Sequence, residues 1–154
     1  MKVVCCADEH VEQWLELRCD LWPHLSHAAH AAELAALRQR SYAGFLALSS
    51  DQDVLGFAEV SLRRDYVNGC ISSPVGFLEG IYVRPLARRK GVARSLCRAA
   101  EAWVRSQGCS EFASDADIGN EVSHKMHRSL GSGKPSAWCS FERPSIPTNE
   151  TRLP

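Results

Sequence analysis

No sign of charge dominates this sequence: 18 Lys and Arg stand against 18 Asp and Glu in 154 residues, a formal net charge of zero. A nucleic-acid binder held by bulk positive charge is therefore not expected. With 45% hydrophobic residues and little net charge, a disordered chain is not expected either. No run of about 18 apolar residues occurs, so no segment is expected to span a membrane. The dinucleotide fingerprint GxGxxG, the Walker A pattern and the CxxC pair are all missing. The opening Met-Lys-Val-Val-Cys-Cys-Ala-Asp holds too short an apolar stretch for a secretory signal.

What is present fits one globular domain by length. A chain of this size buries roughly 70% of its unfolded surface and needs no disulfide or metal staple. Its seven cysteines, Cys5, Cys6, Cys19, Cys70, Cys97, Cys109 and Cys139, are odd in number. They read as mostly reduced, buried small hydrophobes of a cytoplasmic protein. His24, His27 and His30 recur at a spacing of three, as do His124 and His127. Zinc needs two such pairs to converge, and nothing in the pattern brings them together, so no metal is expected.

Residues 2–6 read as a first strand and Asp8 as an N-cap. Val11, Trp14, Leu15 and Leu21 give a helix over about 9–21, stopped by Pro23, and His27 to Arg40 is a second helix rich in good formers. Phe45 to Leu48 and Val54 to Leu62 suggest a hairpin, followed by a loop from Arg63 to Pro74. Val75 to Val83 is a long strand. Gly91 to Gln107 is the clearest helix, with Val92, Leu96, Ala99 and Trp103 on one face and Gly108 as its stop. A short strand over Glu111 to Ser114 and a helix from Asn120 to Leu130 follow. The order implies an α/β (α+β) domain with a mostly antiparallel sheet and about four helices.

The junction from Gly80 to Arg94 is the most informative segment. A strand runs into a basic turn, Arg88-Arg89-Lys90-Gly91, which opens a helix. A helix N-terminus presents unpaired N–H groups and roughly +0.5 of a charge, which suits a pyrophosphate. Gly91 allows close approach, Ala93 keeps the first turn slim, and the three cations add field.

Arg88-x-x-Gly91-x-Ala93 after a strand resembles the acetyl-CoA loop of the GCN5-related N-acetyltransferase (GNAT) family. Leu21-Trp22-Pro23, Asp65-Tyr66-Val67-Asn68-Gly69, Ser72-Ser73-Pro74-Val75, Phe77-Leu78-Glu79-Gly80-Ile81, Ala113-Ser114-Asp115 and His127-Arg128-Ser129-Leu130-Gly131 resemble its bacterial aminoglycoside 6′-N-acetyltransferases. The resemblance covers about residues 10–131. It implies acetyl transfer from acetyl-CoA to an amine by direct attack in a ternary complex, with no acyl-enzyme, no metal and a homodimeric state. A second reading keeps the fold and acetylates another small amine. A third is a remnant that binds acetyl-CoA and turns over little.

By this resemblance Glu79 is both the candidate base and a substrate carboxylate. It stands mid-strand in an apolar run, where burial raises a carboxyl pKa toward usefulness. A bulge near Gly80 would turn the N–H groups of Ile81, Tyr82 and Val83 toward the thioester and pantetheine. Trp22, Tyr66 and Asp115 match drug-binding positions. Glu79, Asp115 and Asp117 are expected to form an acidic pocket. Arg88, Arg89, Lys90, Gly91, Val92, Ala93 and Arg94 are expected at the pyrophosphate, and Asn120 near the pantetheine.

After Gly131 the resemblance ends, so residues 1–131 read as the acetyltransferase domain and 132–154 as an atypical tail. Four of the seven prolines fall in that tail. Back-translated one base earlier from Ser132, permitted codons yield Phe-Arg-Glu-Thr-Glu-Arg-Val-Val-Phe-Phe-Arg-Lys, a family-like ending. The Trp138–Cys139 step forces one of those Val codons, since TGG-TGY contains GTG. A one-base deletion near the Gly131 codon is the expected cause; an edge strand around Ser136 to Phe141 is the alternative fate of the tail. Sequencing the gene is expected to show that one inserted base restores the family ending. The restored version is expected to melt at a higher temperature than the present chain; equal melting temperatures would refute the cost assigned to the tail.

Overall fold

The computed structural model describes residues 1–117 and 137–143, with the backbone alone for 116–117 and 137–143. The elements are β1 (Lys2–Cys5), α1 (Val11–Leu21), α2 (His27–Leu37), β2 (Tyr42–Leu48), β3 (Val54–Arg63), β4 (Val75–Val83), α3 (Val92–Ser106), β5 (Glu111–Asp117) and β6 (Ala137–Arg143). They form one six-stranded sheet in the order β1-β2-β3-β4-β5-β6. The first four strands are antiparallel neighbours, and β5 and β6 run parallel to β4.

The expected elements are present with small differences. Asp8 does not cap α1: it opens a short 3₁₀ turn, Asp8–His10, and its carboxylate pairs with Arg38. Ser26 does cap α2, accepting the Ala29 N–H at 3.2 Å. β2 begins at Tyr42, because pairing with β3 extends to Ser61. β3 includes Arg63, which the sequence placed in the following loop. The Ala137–Arg143 strand pairs along β5 at the sheet edge, where an edge strand was one of two expectations. The expected helix from Asn120 to Leu130 lies outside the described residues, which hold three α-helices.

Side chains alternate along the strands, so each face has its own core. α3 covers one face with Val92, Leu96, Cys97, Ala100 and Val104, packed on Ala58, Val60, Leu78 and Phe112. Its buried stripe is thus offset from the expected one: Ala99 and Trp103 flank it, half-buried. α1 and α2 cover the other face with Trp14, Leu15, Leu17 and Leu34, against Leu46 and Phe57. Cys70, Cys97 and Cys109 are buried as expected, whereas Cys5 is exposed.

A third small core, Val67, Cys70, Val75, Phe77 and Ala113, fastens the β3–β4 loop to the sheet. Buried Glu111 of β5 ties down the same loop. Its carboxylate accepts the N–H groups of Ile71 and Ser72, at 3.0 and 2.6 Å, and the Ser72 hydroxyl. The Ser72 donors, hydroxyl first, outweigh burial and hold its carboxyl below the usual 4.5, with help from Ile71. A depressed carboxyl contributes stability above its unfolded pKa and loses it as the pH falls through its folded pKa. Glu111→Gln is therefore expected to lower Tm at neutral pH. The gap from the parent chain should shrink as the pH falls below 4.5 in thermal melts at stepped pH.

Candidate active site

One residue of β4 has no partner on β3. Glu59 faces Gly80 and Val60 faces Leu78, which leaves Glu79 as the extra residue of a β-bulge. Its effect shows in the two glycines that flank it. A Cβ on Gly76 would meet Val104 of α3, while one on Gly80 would meet the Trp22 ring at 2.6 Å on the opposite face. Four residues apart, both would share a face in a regular strand. The irregularity expected at Gly80 thus falls at Glu79–Gly80, and only glycine fits beneath Trp22.

At the same point β4 and β5 part. Their last partners are Leu78 and Ser114. From Gly80 to Val83, β4 pairs with β3 alone among the described residues. Alternation along β4 turns the N–H groups of Ile81 and Val83 toward the gap between the strands, whereas Tyr82, in register with the bond from Arg84 N–H to the Leu55 carbonyl, turns its own to β3, so two of the three expected donors face the gap.

Trp22 ends α1 and is held from several sides. Its N–H bonds the Arg18 carbonyl at 2.8 Å, and its own carbonyl lies 3.1 Å from His30 Nε2. The ring sits edge-on to Phe57, and the Arg18 guanidinium lies 5.0 Å from its centroid. Arg18 is fixed in turn. It reaches both carboxylate oxygens of Glu59 at 2.7 Å and also pairs with Glu33 of α2. The Trp14 indole N–H and the Tyr42 hydroxyl donate to the same Glu59 carboxylate. Burial pushes the Glu59 carboxyl up, opposed by Arg18, Tyr42 and Trp14. Burial and Glu59 together push the Tyr42 hydroxyl up, so it stays a donor.

Glu79 and Trp22 meet in a cleft of about 790 Å³ between the α1–α2 face and β3. The expected acidic pocket is not what stands there. Arg18, Arg40, Arg63 and Arg64 line the cleft together with Glu33, Glu59, Asp65 and Glu79, so its charge is balanced. Glu79 itself is engaged: Oε1 accepts the Ser61 hydroxyl at 2.5 Å and Arg63 Nε at 3.1 Å, and Oε2 accepts Arg63 Nη2 at 2.7 Å. Asp115 and Tyr66 are not among the cleft-lining residues. Alternation along β5 puts Asp115 on the face of Ala113 and Phe77, across the strand gap from Glu79. Tyr66 is 84% exposed on the β3–β4 loop. Asn120 lies outside the described residues, and Asp117 is described by backbone only.

The basic turn has the expected form. Arg89 and Gly91 both adopt left-handed backbone, at φ 62° and 80°. Gly91 precedes α3 without any side-chain cap, and no acidic residue occupies the first helical turn. A Cβ at Gly91 would meet nothing within 4 Å, so the glycine is required by its φ and the space beside it is open. Uncapped N–H groups beside exposed Arg89, Lys90 and Arg94 fit a pyrophosphate. Arg88 bends back instead, donating from Nε to the Val83 carbonyl at 2.9 Å.

Arg18, Glu59, Ser61 and Arg63 were not singled out from the sequence. Their signal was the alternation Phe57, Glu59, Ser61, Arg63, which places three polar side chains on one face of an apolar strand. Glu59→Ala would leave Arg18 buried without its main partner. It is expected to destabilise the fold by about 3–5 kcal/mol, the usual cost of breaking a buried pair, as measured by denaturant unfolding. Gly80→Ala is expected to cost about 1–3 kcal/mol by displacing Trp22, in the same measurement.

Residues 9–131 match the family model described as Acetyltransferase (GNAT) family. An aminoglycoside N(6′)-acetyltransferase type 1 from Acinetobacter haemolyticus is 48% identical over 131 residues, covering 85% of this chain and 90% of its own. Its counterpart from Serratia marcescens is 47% identical over 130 residues, covering 84% and 89%. The apo crystal structure of 6′-N-acetyltransferase AAC(6′)-IG from Acinetobacter haemolyticus superposes with a TM-score of 0.79, at 41% identity, over 99% of both chains. AAC(6′)-Iy in complex with the bisubstrate analogue CoA-S-monomethyl-acetylneamine gives a TM-score of 0.82, at 38% identity, over 99% and 98%. With the strand gap, the bulge and the uncapped basic turn all in place, the chain belongs to the acetyltransferase (GNAT) family, in the branch of the aminoglycoside N(6′)-acetyltransferases.

Proposed function

We propose that this protein transfers the acetyl group of acetyl-CoA to the 6′-amine of aminoglycoside antibiotics, by direct attack in a ternary complex, and so confers resistance on a bacterium. The observation that carries this reading is the position of Glu79. The bulge turns it toward Trp22 in a large cleft, at the point where β4 and β5 part. The relative bound to a CoA–neamine bisubstrate analogue supports both halves of the assignment.

Acetyl-CoA supplies a thioester acyl group. The protein's part is to hold two substrates and move one proton. The N–H groups of Ile81 and Val83, turned away from β3, receive the pantetheine and polarise the thioester carbonyl, with Tyr82 between them paired to β3. The turn from Arg88 to Arg94 receives the pyrophosphate, with Gly91, Val92 and Ala93 forming its backbone edge. Glu79 accepts the proton that the ammonium must lose before its nitrogen can attack. Trp22 offers its ring to a sugar, Asp115 adds negative charge from across the gap, and Tyr66 reaches a large substrate from the rim. No helix among the described residues is long and apolar enough to cross a membrane. We place the enzyme in the cytoplasm as a homodimer, on the strength of the family resemblance.

The test is thiol release from acetyl-CoA with kanamycin or tobramycin as acceptor. The parent chain is expected to turn over, and Glu79→Gln to lower kcat/KM by about 10²-fold or more, the range for a general base. Turnover with other small amines alone would favour the second substrate reading. CoA binding without turnover would favour the remnant.

A further inference from the structure

The carboxylate assigned to the substrate ammonium is already occupied by a cation of the protein itself. Arg63 forms a two-pronged pair with Glu79, through Nε to one oxygen and Nη2 to the other, at 3.1 and 2.7 Å. Ser61 fills a further acceptor position on Oε1. The Arg63 guanidinium carbon lies 3.3 Å from the Phe77 ring centroid, so the cation is held over an aromatic face as well as against a carboxylate. Register places this arrangement: Ser61 pairs with Phe77 and Arg63 with Val75, two and four residues before the bulged Glu79.

The Arg18–Glu59 and Arg63–Glu79 pairs of the cleft differ in accessibility. Arg18 and Glu59 are 2% and 1% exposed and belong to the core. Arg63 and Glu79 are 42% and 26% exposed, open to solvent and to a ligand. A solvent-accessible pair contributes little to stability and exchanges partners readily. The guanidinium takes two of the roughly four acceptor positions of the carboxylate and Ser61 a third, so an ammonium that makes more than one contact with Glu79 displaces Arg63.

We propose that Arg63 is a resident competitor for the substrate ammonium, and that it sets the charge a substrate must carry to be accepted. This inference rests on the aminoglycoside reading above. A singly charged amine exchanges one cation for another at Glu79 and gains almost nothing. A polycation makes the same exchange and gains a further contact with Asp65 in the same cleft. The displaced guanidinium can stay over Phe77, so the exchange needs only a side-chain rotation. Arg63 thus sets an affinity threshold that applies to every amine alike and that a polycation's further contacts overcome, and it takes no part in the proton transfer.

The test compares kanamycin and the monoamine 6-amino-6-deoxyglucose as ligands of the parent chain, Arg63→Met, Glu79→Gln and the double variant, with CoA present. Arg63→Met is expected to lower the kanamycin Kd by about fivefold, the upper range for an accessible pair, and to strengthen monoamine binding by a similar factor. On the Glu79→Gln background the same substitution is expected to change neither Kd. The parent chain gives an independent readout, since the Arg63 Nε–H resonance should shift on adding kanamycin and not on adding CoA. Weaker or unchanged binding by folded Arg63→Met overturns the proposal, as does an unmoved resonance in the parent chain. If the parent chain neither binds nor acetylates kanamycin or tobramycin, the functional reading fails and takes this inference with it. Normal acetylation by the parent with no gain in Arg63→Met removes this inference alone.

Discussion

A single extra residue in β4 organises the catalytic half of this protein. Because Glu79 has no partner on β3, the strand changes phase between Leu78 and Gly80. Before that point Val75 and Phe77 face the loop core, and Leu78 packs under α3. After it Gly80 lies beneath Trp22 and Tyr82 joins the α1–α2 side, while Ile81 and Val83 flank the α3 core. A bulge also bends its strand and raises local twist. The loss of pairing with β5 beyond Leu78 coincides with that bend. One insertion thus exposes backbone groups and aims a carboxylate into the cleft. It also leaves a site that only glycine can fill.

The surrounding polar network keeps that geometry from relaxing. Arg18 connects α1, α2 through Glu33 and β3 through Glu59, and its guanidinium supports the Trp22 ring. A buried pair is weak evidence for net stability, because desolvation offsets much of its attraction. Here three donors converge on one carboxylate, which restricts how α1 can sit on the sheet and therefore where Trp22 stands. The contrast with the accessible Arg63–Glu79 pair separates two uses of the same chemistry: one pair orients the wall of the cleft, and the other remains exchangeable at its mouth.

Much of this was legible in the residues themselves. The Val75–Val83 strand, the basic turn and the α3 helix followed from an apolar run, a glycine and a helical stripe, all local signals. Glu79 could be singled out as a carboxylate in an apolar strand, and Gly80 as a place for irregularity. The acidic pocket was the misreading. It combined Glu79 with Asp115 and Asp117 and left out Arg63, sixteen positions before Glu79, in what read as a loop. Only antiparallel register brings those two side chains together. Tyr66 matched a motif, yet it stands exposed and does not line the described cleft, because loop position depends on Glu111 and the small core under the loop rather than on the motif.

The sequence by itself determined the family, the order of elements and the candidate groups for the chemistry, since these depend on residue type and short-range periodicity. Tertiary structure decided which charges neutralise each other, because a zero net charge places no constraint on pairing. In this protein the partition is sharp. The basic turn at Arg89 to Arg94 keeps its cations exposed and its backbone donors uncapped. Within the cleft, Arg18 and Arg63 are each paired across strands or helices that lie far apart in sequence. The balance of 18 against 18 says nothing about that arrangement. It follows from strand register, and a one-residue shift of β3 against β4 would put Glu79 and Arg63 on opposite faces of the sheet.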